Sequence, residues 1–430
     1  MTQRSLADWL AHIERQHPKS IELGLDRVRA VAQQMGLQRP AAKVITVAGT
    51  NGKGSTVAFI EAIARAAGWR VGAYTSPHLL AYNERLRIDG VDADDAALVA
   101  GFETVDAACG DVALTYFEYG TLASLWLMQR ARLDLAVLEV GLGGRLDAVN
   151  LVDADVAVIT TVDIDHRDWL GDDREAIGAE KVRIARAGTP LVLGEDDPPA
   201  SVLSRAYAMG APALRAGCDF FFEATPPGSW RWWEVGFALE LPPPRLAAPV
   251  QLRNAATAIA ALRALNKRLP RSAFATGIAT ASIPARWQRF DHDGVEVVVD
   301  VAHNPQAAQA LAAALRQSPA SGLTLAVFAA LGDKDIAGIV AALGDRVDGW
   351  LLAGLGTAGP RGLAIIERWL QRTALAADAL VLALGQDADL ALLEDVDGIT
   401  VSNGVVDVDA GMMTGLPGLF AGGDMVPSER

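Results

Sequence analysis

A glycine-rich run with a single lysine, Val47-Ala-Gly-Thr-Asn-Gly-Lys-Gly-Ser55, carries the residue types needed to grip phosphate. Glycines let backbone N–H groups curl around phosphate oxygens, and a helix starting at the end of the run adds positive potential. Lys53 can neutralise β/γ charge, while Ser55 or Thr56 can face a metal. The strict P-loop spacing is not met, because Val47 stands at its first glycine and Gly54 where Ser or Thr follows Gly-Lys. A lysine inside such a loop favours nucleotide binding over a bare tight turn. Further polar groups follow apolar runs: Ser76 in Thr75-Ser-Pro-His78, Glu139 after LAVL, and Asp165-His166 after VAVITTVDI. Mg²⁺ prefers oxygen ligands and bridges nucleotide phosphates, which suits Ser76 and Glu139. Taken alone, His166 reads as a hydrogen-bonded loop residue, and Lys181 in Gly178-Ala-Glu-Lys181 as a helix-surface lysine.

The elements that must position these groups alternate along the chain. Residues 43–48 form a β-rich run, and a helical pattern follows the glycine loop through Arg65. Val71–Tyr74, Leu133–Val140 and Asp155–Thr161 read as buried parallel strands, with helices over Ala96–Ala108 and Tyr119–Arg132. This alternation predicts an α/β fold with a doubly wound, mostly parallel sheet, whose ligand sites gather beyond the strands' carboxyl ends. Residues 219–250, with PPGSWRWW and LPPP, read as a β-rich excursion or long loop, followed by a helix over Asn254–Leu265. A second, smaller α/β unit starts near Gly294, with strands Val295–Val301 and Leu323–Ala330 and a helix from Pro305. The expected divisions are 1–290 for an ATP-binding domain, 291–373 for a C-terminal domain, and 374–430 for a tail. That tail has ten acidic residues against one base, Arg430.

The 430 residues carry a formal net charge of −14, which disfavours a general nucleic-acid binder. An apolar fraction of 51% argues against disorder, and no stretch approaches the roughly 18 apolar residues that span a bilayer. Cys109 and Cys218 make no disulfide framework. A cytoplasmic, monomeric protein without nucleic-acid or membrane partners is expected. Arg85, Arg87 and Arg145 are candidates for a basic substrate pocket, but arginines of this kind are expected on the solvated surface.

Seven motifs in order carry a resemblance: GTNGKGS at 49–55, TSPHL at 75–79, LTYFE at 114–118, EVGLGGRLDAVN at 139–150, ITTVDIDH at 159–166, RNAATA at 253–258 and DVAHNP at 300–305. Over roughly residues 5–370 the chain resembles the bacterial dihydrofolate synthase/folylpolyglutamate synthases of the Mur ligase superfamily. Ser20-Ile-Glu-Leu-Gly-Leu-Asp-Arg27 is similar to the pterin-substrate segment of the bifunctional members. The resemblance implies that Thr50, Asn51, Gly52, Lys53, Gly54 and Ser55 hold ATP phosphates, and that Ser76, Glu139 and His166 ligate Mg²⁺. It makes Lys181 a carbamylated lysine and brings Asn254, Arg286 and Asp300 to ATP. Glu22, Leu23, Gly24 and Leu25, Thr115, Tyr116, Phe117 and Glu118, and Leu146, Asp147 and Ala148 would contact dihydropteroate. His303 matches the family's HNP motif. The implied reaction activates a carboxylate of dihydropteroate or a reduced folate as an acyl phosphate, which L-glutamate then captures. Closure of two domains would exclude water from that intermediate.

Two departures from the family pattern stand out. After Glu180-Lys181 the family continues Ala-Gly-Ile, but this chain has Val182-Arg-Ile184, placing a bulky cation beside the lysine. Beyond Pro360-Arg-Gly362 a closing strand with a GSF-like turn is missing. Residues 374–430, through Ala377–Gln386 and Thr414–Asp424, instead resemble the end of an FAD-dependent pyridine-nucleotide oxidoreductase of the glutamate-synthase small-subunit type. Fifty-seven residues are too few to build a dinucleotide site, so FAD is not expected, while Leu380–Leu384 could replace a strand of the second sheet. The alternatives are a nucleotide-binding protein inactive as a ligase because of that terminus, or a monofunctional folylpolyglutamate synthase.

Overall fold

A computed structural model describes residues 4–17, 19, 21–225, 228–292, 294–330 and 334–353, with the backbone of short strands at 379–383, 401–402, 405–406 and 419–422. The described chain divides into two compact units. The first holds residues up to Ile164, Trp169–Arg245 and Gln251–Ile283; the second holds Asp165–Asp168, Leu246–Val250 and the chain from Pro284.

The first unit is built on an eight-stranded sheet. Its strands are β1 (Ala41–Ala48), β2 (Val71–Tyr74), β3 (Leu86–Ile88), β4 (Val91–Asp92), β5 (Leu133–Glu139), β6 (Val156–Ile159), β7 (Leu191–Leu193) and β8 (Ala213–Arg215). They lie in the order β4-β3-β2-β5-β1-β6-β7-β8, parallel except for the β2–β3–β4 edge. Apolar runs such as LAVL and VAVI are covered on both faces, and Val137, Leu138, Val156 and Val158 are fully buried. Each such side chain contributes about 1.5–3 kcal/mol of burial energy. Register places Val47 opposite Glu139 and Ala48 opposite Ile159, so the ends of β5 and β6 flank the start of the glycine loop.

The helix Lys53–Ala66 packs against helices Gln251–Leu265 and Arg271–Thr280. Contact with the latter is backbone-close, since a Cβ on Gly277 would lie 2.5 Å from the Ile63 Cα. Residues 219–250 resolve as a three-stranded antiparallel sheet of β9 (Phe220–Thr225), β10 (Ser229–Glu234) and β11 (Phe237–Leu241). Alternation on β10 turns Trp230 and Trp232 inward, and Trp232 Nε1 donates to the Ala256 carbonyl at 3.1 Å.

The second unit has β12 (Gln288–His292), β13 (Val295–Asp300), β14 (Thr324–Phe328), β15 (Gly349–Ala353) and β16 (Ala379–Ala383). Strand order is β12-β13-β16-β14-β15, with Leu419–Gly422 beyond β15. Thus β16, from the acidic tail, runs parallel between β13 and β14 at the centre of this sheet. The remainder of the oxidoreductase-like resemblance falls largely outside the described residues.

Candidate functional site

The glycine loop is held by hydrogen bonds from the β6 side. Thr50 N donates to the Thr161 carbonyl at 2.8 Å, and Thr50 Oγ1 to the Asp163 carbonyl at 2.9 Å. Asn51 N donates to Thr161 Oγ1 at 3.1 Å, and Thr160 Oγ1 to the Asn51 carbonyl at 2.6 Å. Gly52 caps the helix with φ +85°, and a Cβ there would lie 2.5 Å from Asn254 Oδ1. That position therefore requires glycine for both conformation and space. Ser55 and Thr56 are buried on the first turn. Lys53 Nζ donates to the Gly49 and Thr50 carbonyls at 3.1 Å each.

Lys181 reaches the same loop. It is not on the surface: its residue is 4% exposed, and Nζ donates to the Gly49 carbonyl at 3.1 Å. The surface reading of the isolated motif is corrected by packing, because Gly144 lets the 141–145 loop press on the 180–181 backbone. A Cβ on Gly144 would sit 3.0 Å from both carbonyls. Arg183 is exposed on a 3₁₀ turn over Val182–Ile184, whose other two side chains are buried.

Glu139, 4% exposed at the end of β5, accepts from Ser76 N at 3.3 Å, so this pair lies together. Among the described residues no three His, Cys, Asp or Glu side chains gather to hold an ion. The oxygen donors of Ser76 and Glu139 nevertheless suit Mg²⁺, which completes its sphere with phosphate and water.

His166 belongs with the second unit and adopts φ +53°, a strained backbone state for a non-glycine residue. Its neighbour Asp165 accepts from Lys334 Nζ at 2.8 Å and Asn304 Nδ2 at 3.0 Å, with His303 Nε2 at 3.3 Å. Burial acts to raise the Asp165 carboxyl, but His303, His166 and Lys334 outweigh it and hold the group far below the usual carboxylate range. Arg286 sits between two more left-handed residues, Ala285 and Trp287, and Asp300 accepts from Trp287 N at 2.8 Å. Burial raises the Asp300 carboxyl even with Arg286 beside it. Asn254, in the first unit, is buried and donates to Gln251 Oε1 at 2.9 Å.

The three segments expected to meet substrate all lie in the first unit. Thr115 caps the helix Tyr116–Ala131, and Glu118 closes the capping box by accepting from Thr115 N at 2.8 Å. Asp147 caps the short turn Ala148–Leu151 and accepts from Leu142 N and Val149 N at 2.9 Å each. Burial pushes its carboxyl up to about 6 despite those donors. Two of the segments share one apolar cluster, in which Ala148 is buried with Tyr116 and Phe117 packed against it, and Phe117 lies over Gly141, where a Cβ would be 2.7 Å from its ring. Residues 21–24 form neither helix nor strand, and Leu25 is buried.

Two of the three arginines, Arg85 and Arg87, correct the expectation of a solvated surface, and Arg145 meets it. Arg85 is only 9% exposed; it lies 5.3 Å from the Tyr82 ring centre and 5.6 Å from that of Tyr116, and donates to His78 Nδ1 at 2.9 Å. Burial, reinforced by Arg85, pushes His78 down to about 4 and so keeps it neutral near pH 7. Arg87 pairs with the buried Glu61 at 2.8 Å, whereas Arg145 is exposed and pairs with Glu180 at 2.9 Å. The one local signal is Tyr82, three residues before Arg85; the second ring, Tyr116, comes from a distant part of the chain.

Models of two families match this chain: the Mur ligase middle domain over residues 47–209 and the Mur ligase glutamate ligase domain over residues 285–392. Together with the parallel sheet, the phosphate loop and the smaller α/β unit, these matches define a Mur ligase. The chain is 47% identical to the dihydrofolate synthase/folylpolyglutamate synthase of Escherichia coli K12, covering 85% of each chain. It is 33% identical to the folylpolyglutamate synthase of Lacticaseibacillus casei, over 72% of this chain and 76% of that one. Among solved structures, Escherichia coli FolC in complex with DHPP and ADP superposes with a TM-score of 0.83 at 44% identity, covering 89% of this chain and 95% of that one. The chain belongs to the dihydrofolate synthase/folylpolyglutamate synthase family.

Proposed function

We propose that this chain is an ATP-dependent ligase that joins L-glutamate to dihydropteroate and to the γ-carboxylate of reduced folates. Relatives of the same family carry both synthase names, and one of their structures holds Mn, AMPPNP and L-glutamate. The observation that carries the reading in this chain is the meeting of Lys53 and Lys181 on the Gly49 carbonyl of the phosphate loop.

A carboxylate oxygen of the substrate attacks the γ-phosphorus of ATP, giving an acyl phosphate and ADP. The uncharged amine of glutamate then attacks the acyl carbon, phosphate leaves, and the nitrogen gives up a proton to form the amide. Loop N–H groups from Gly52 to Ser55 and the Lys53 ammonium bind the phosphates and hold the γ-group in line, while Thr50 and Asn51, whose own N–H groups are bonded to Thr161, fix the loop's shape around them. Mg²⁺, when bound, offsets phosphate charge; Ser76 and Glu139 would hold it, with His166 as the third ligand supplied by the family pattern. Lys181 is carbamylated in this reading and contributes a carboxylate. Asn254, Arg286 and Asp300 contact ATP, while Glu22–Leu25, Thr115–Glu118 and Leu146–Ala148 contact the pterin substrate. The likeness of 374–430 to an FAD oxidoreductase adds no flavin chemistry. The run Gly354-Leu-Gly-Thr-Ala-Gly359 has dinucleotide-turn spacing but lies inside the glutamate ligase match and outside the described residues.

The direct test is phosphate release from Mg²⁺ and ATP. It should require dihydropteroate and L-glutamate together, and also proceed with tetrahydrofolate. Release with tetrahydrofolate alone would leave a monofunctional folylpolyglutamate synthase, and ATP binding without glutamate-dependent turnover would leave an inactive relative.

Asp147 adds a pH signature. Its ionised carboxylate holds Leu142 N and Val149 N and so shapes the loop that would meet dihydropteroate, a hold that protonation below about 6 weakens. KM for dihydropteroate should climb as pH falls below that value, approaching about tenfold per unit. An Asp147→Asn variant should show no such climb. A wild-type KM that is flat from about pH 5 to 8 would contradict the role.

A further inference from the structure

Arg27 ends the Ser20–Arg27 run and is not among the residues expected to touch substrate, yet it fastens two of those groups of residues together. It is the second residue of the helix Asp26–Gln34. Its Nη1 donates to Glu22 Oε1 at 2.9 Å. Its Nη2 donates to the Glu22 carbonyl at 2.9 Å and to Glu118 Oε1, also at 2.9 Å. The Glu118 side chain is 5% exposed, and its other oxygen is committed to the Thr115 cap, so the acceptor is fixed. The bond to the Glu22 carbonyl matters most, because it sets the backbone of a segment with no regular structure of its own.

We propose that Arg27 is a positioning residue for the pterin-bearing substrate, holding the 22–25 segment in register with the Thr115–Glu118 helix start. This rests on the substrate assignment made under the proposed function. The planar guanidinium spreads its donors over Nη1 and Nη2 and so reaches three acceptors on two segments in a fixed geometry, where a compact ammonium would have to hold all of them from one atom. Nε of Arg27 is buried without a hydrogen-bond partner, an uncompensated cost that an apolar residue of similar reach would not bear. A side chain selected for packing alone would be that apolar residue.

The test uses Arg27→Lys and Arg27→Met in the full chain, with glutamate-dependent phosphate release, KM for ATP and melting temperature measured on each. KM for dihydropteroate should rise about tenfold or more, with kcat within about twofold and KM for ATP unchanged. The lysine variant should fall between methionine and wild type, and it carries the test if the methionine variant does not fold. A fall in kcat with an unchanged dihydropteroate KM, or equal rises in both KM values, would show a merely structural arginine and overturn the proposal. Unchanged KM values in both variants would do the same. Wild-type turnover indifferent to dihydropteroate would instead overturn the substrate assignment and this inference with it.

Discussion

Lys53→Ala should lower glutamate-dependent turnover by on the order of 10²–10³ while leaving the fold intact. The size follows from what is lost, a positive charge aimed at the phosphates inside a buried loop, where charge interactions are weakly screened. Retention of the fold follows from where the loop gets its shape. Thr50 is tied to Thr161 and Asp163, Asn51 to Thr160 and Thr161, and Gly52 sits against Asn254. None of those bonds involves the lysine. Its bonds to the Gly49 and Thr50 carbonyls hold the ammonium across the loop, and in the alanine variant Lys181 Nζ still serves the Gly49 carbonyl. Arginine should not substitute, because a planar fork cannot occupy a seat shaped for a point charge between two carbonyls. Phosphate release together with a thermal melt decides the matter. An alanine variant retaining more than about a tenth of wild-type kcat would remove Lys53 from phosphate binding.

The phosphate loop was legible because its signal is local: an apolar run, glycines, one lysine, then a helix. The same holds for β5 and β6, which have apolar residues on both faces and polar residues where they stop. What local pattern cannot carry is pairing between distant segments. Nothing in Ala379–Ala383 announces that it inserts between β13 and β14, because a buried parallel strand looks alike at the centre or the edge. Asp165–Asp168 falls within the span of the first unit in sequence, yet it packs with the second through Asn304 and Lys334. The charged residues misled for a related reason. Arg85 and Lys181 belong to types that are usually exposed, and only the tertiary neighbours, two tyrosine rings and a glycine carbonyl, show why these two are buried. Arg27 escaped notice because its partners are Glu22, five residues away, and Glu118, ninety-one away.

Lys181→Ala should cost as much as the Lys53 change, on the order of 10²–10³ in kcat, but by another route. Lys181 is buried, and an ammonium taken out of water is costly unless fully compensated. Carbamylation needs the neutral amine, the form that attacks CO₂. In the carbamylation proposed for this lysine, the nitrogen bonds to the carbon of CO₂, a proton is released, and the side chain would end in a carboxylate. Such a group adds negative charge and oxygen donors where a lysine would add a cation. The modification therefore inverts the electrostatic role of the position. Exposure of Arg183 matters here, since an inward cation next to the carbamate would cancel that charge. Labelled ¹³CO₂ should give a carbamate carbon signal in the wild-type chain and none in Lys181→Ala. Added acetate should restore part of the variant's turnover by supplying the missing carboxylate. Full activity in the alanine variant would show that the reaction needs no group at this position. Lost activity without a carbamate signal in the wild type, and without recovery in acetate, would make Lys181 an unmodified cation of the loop.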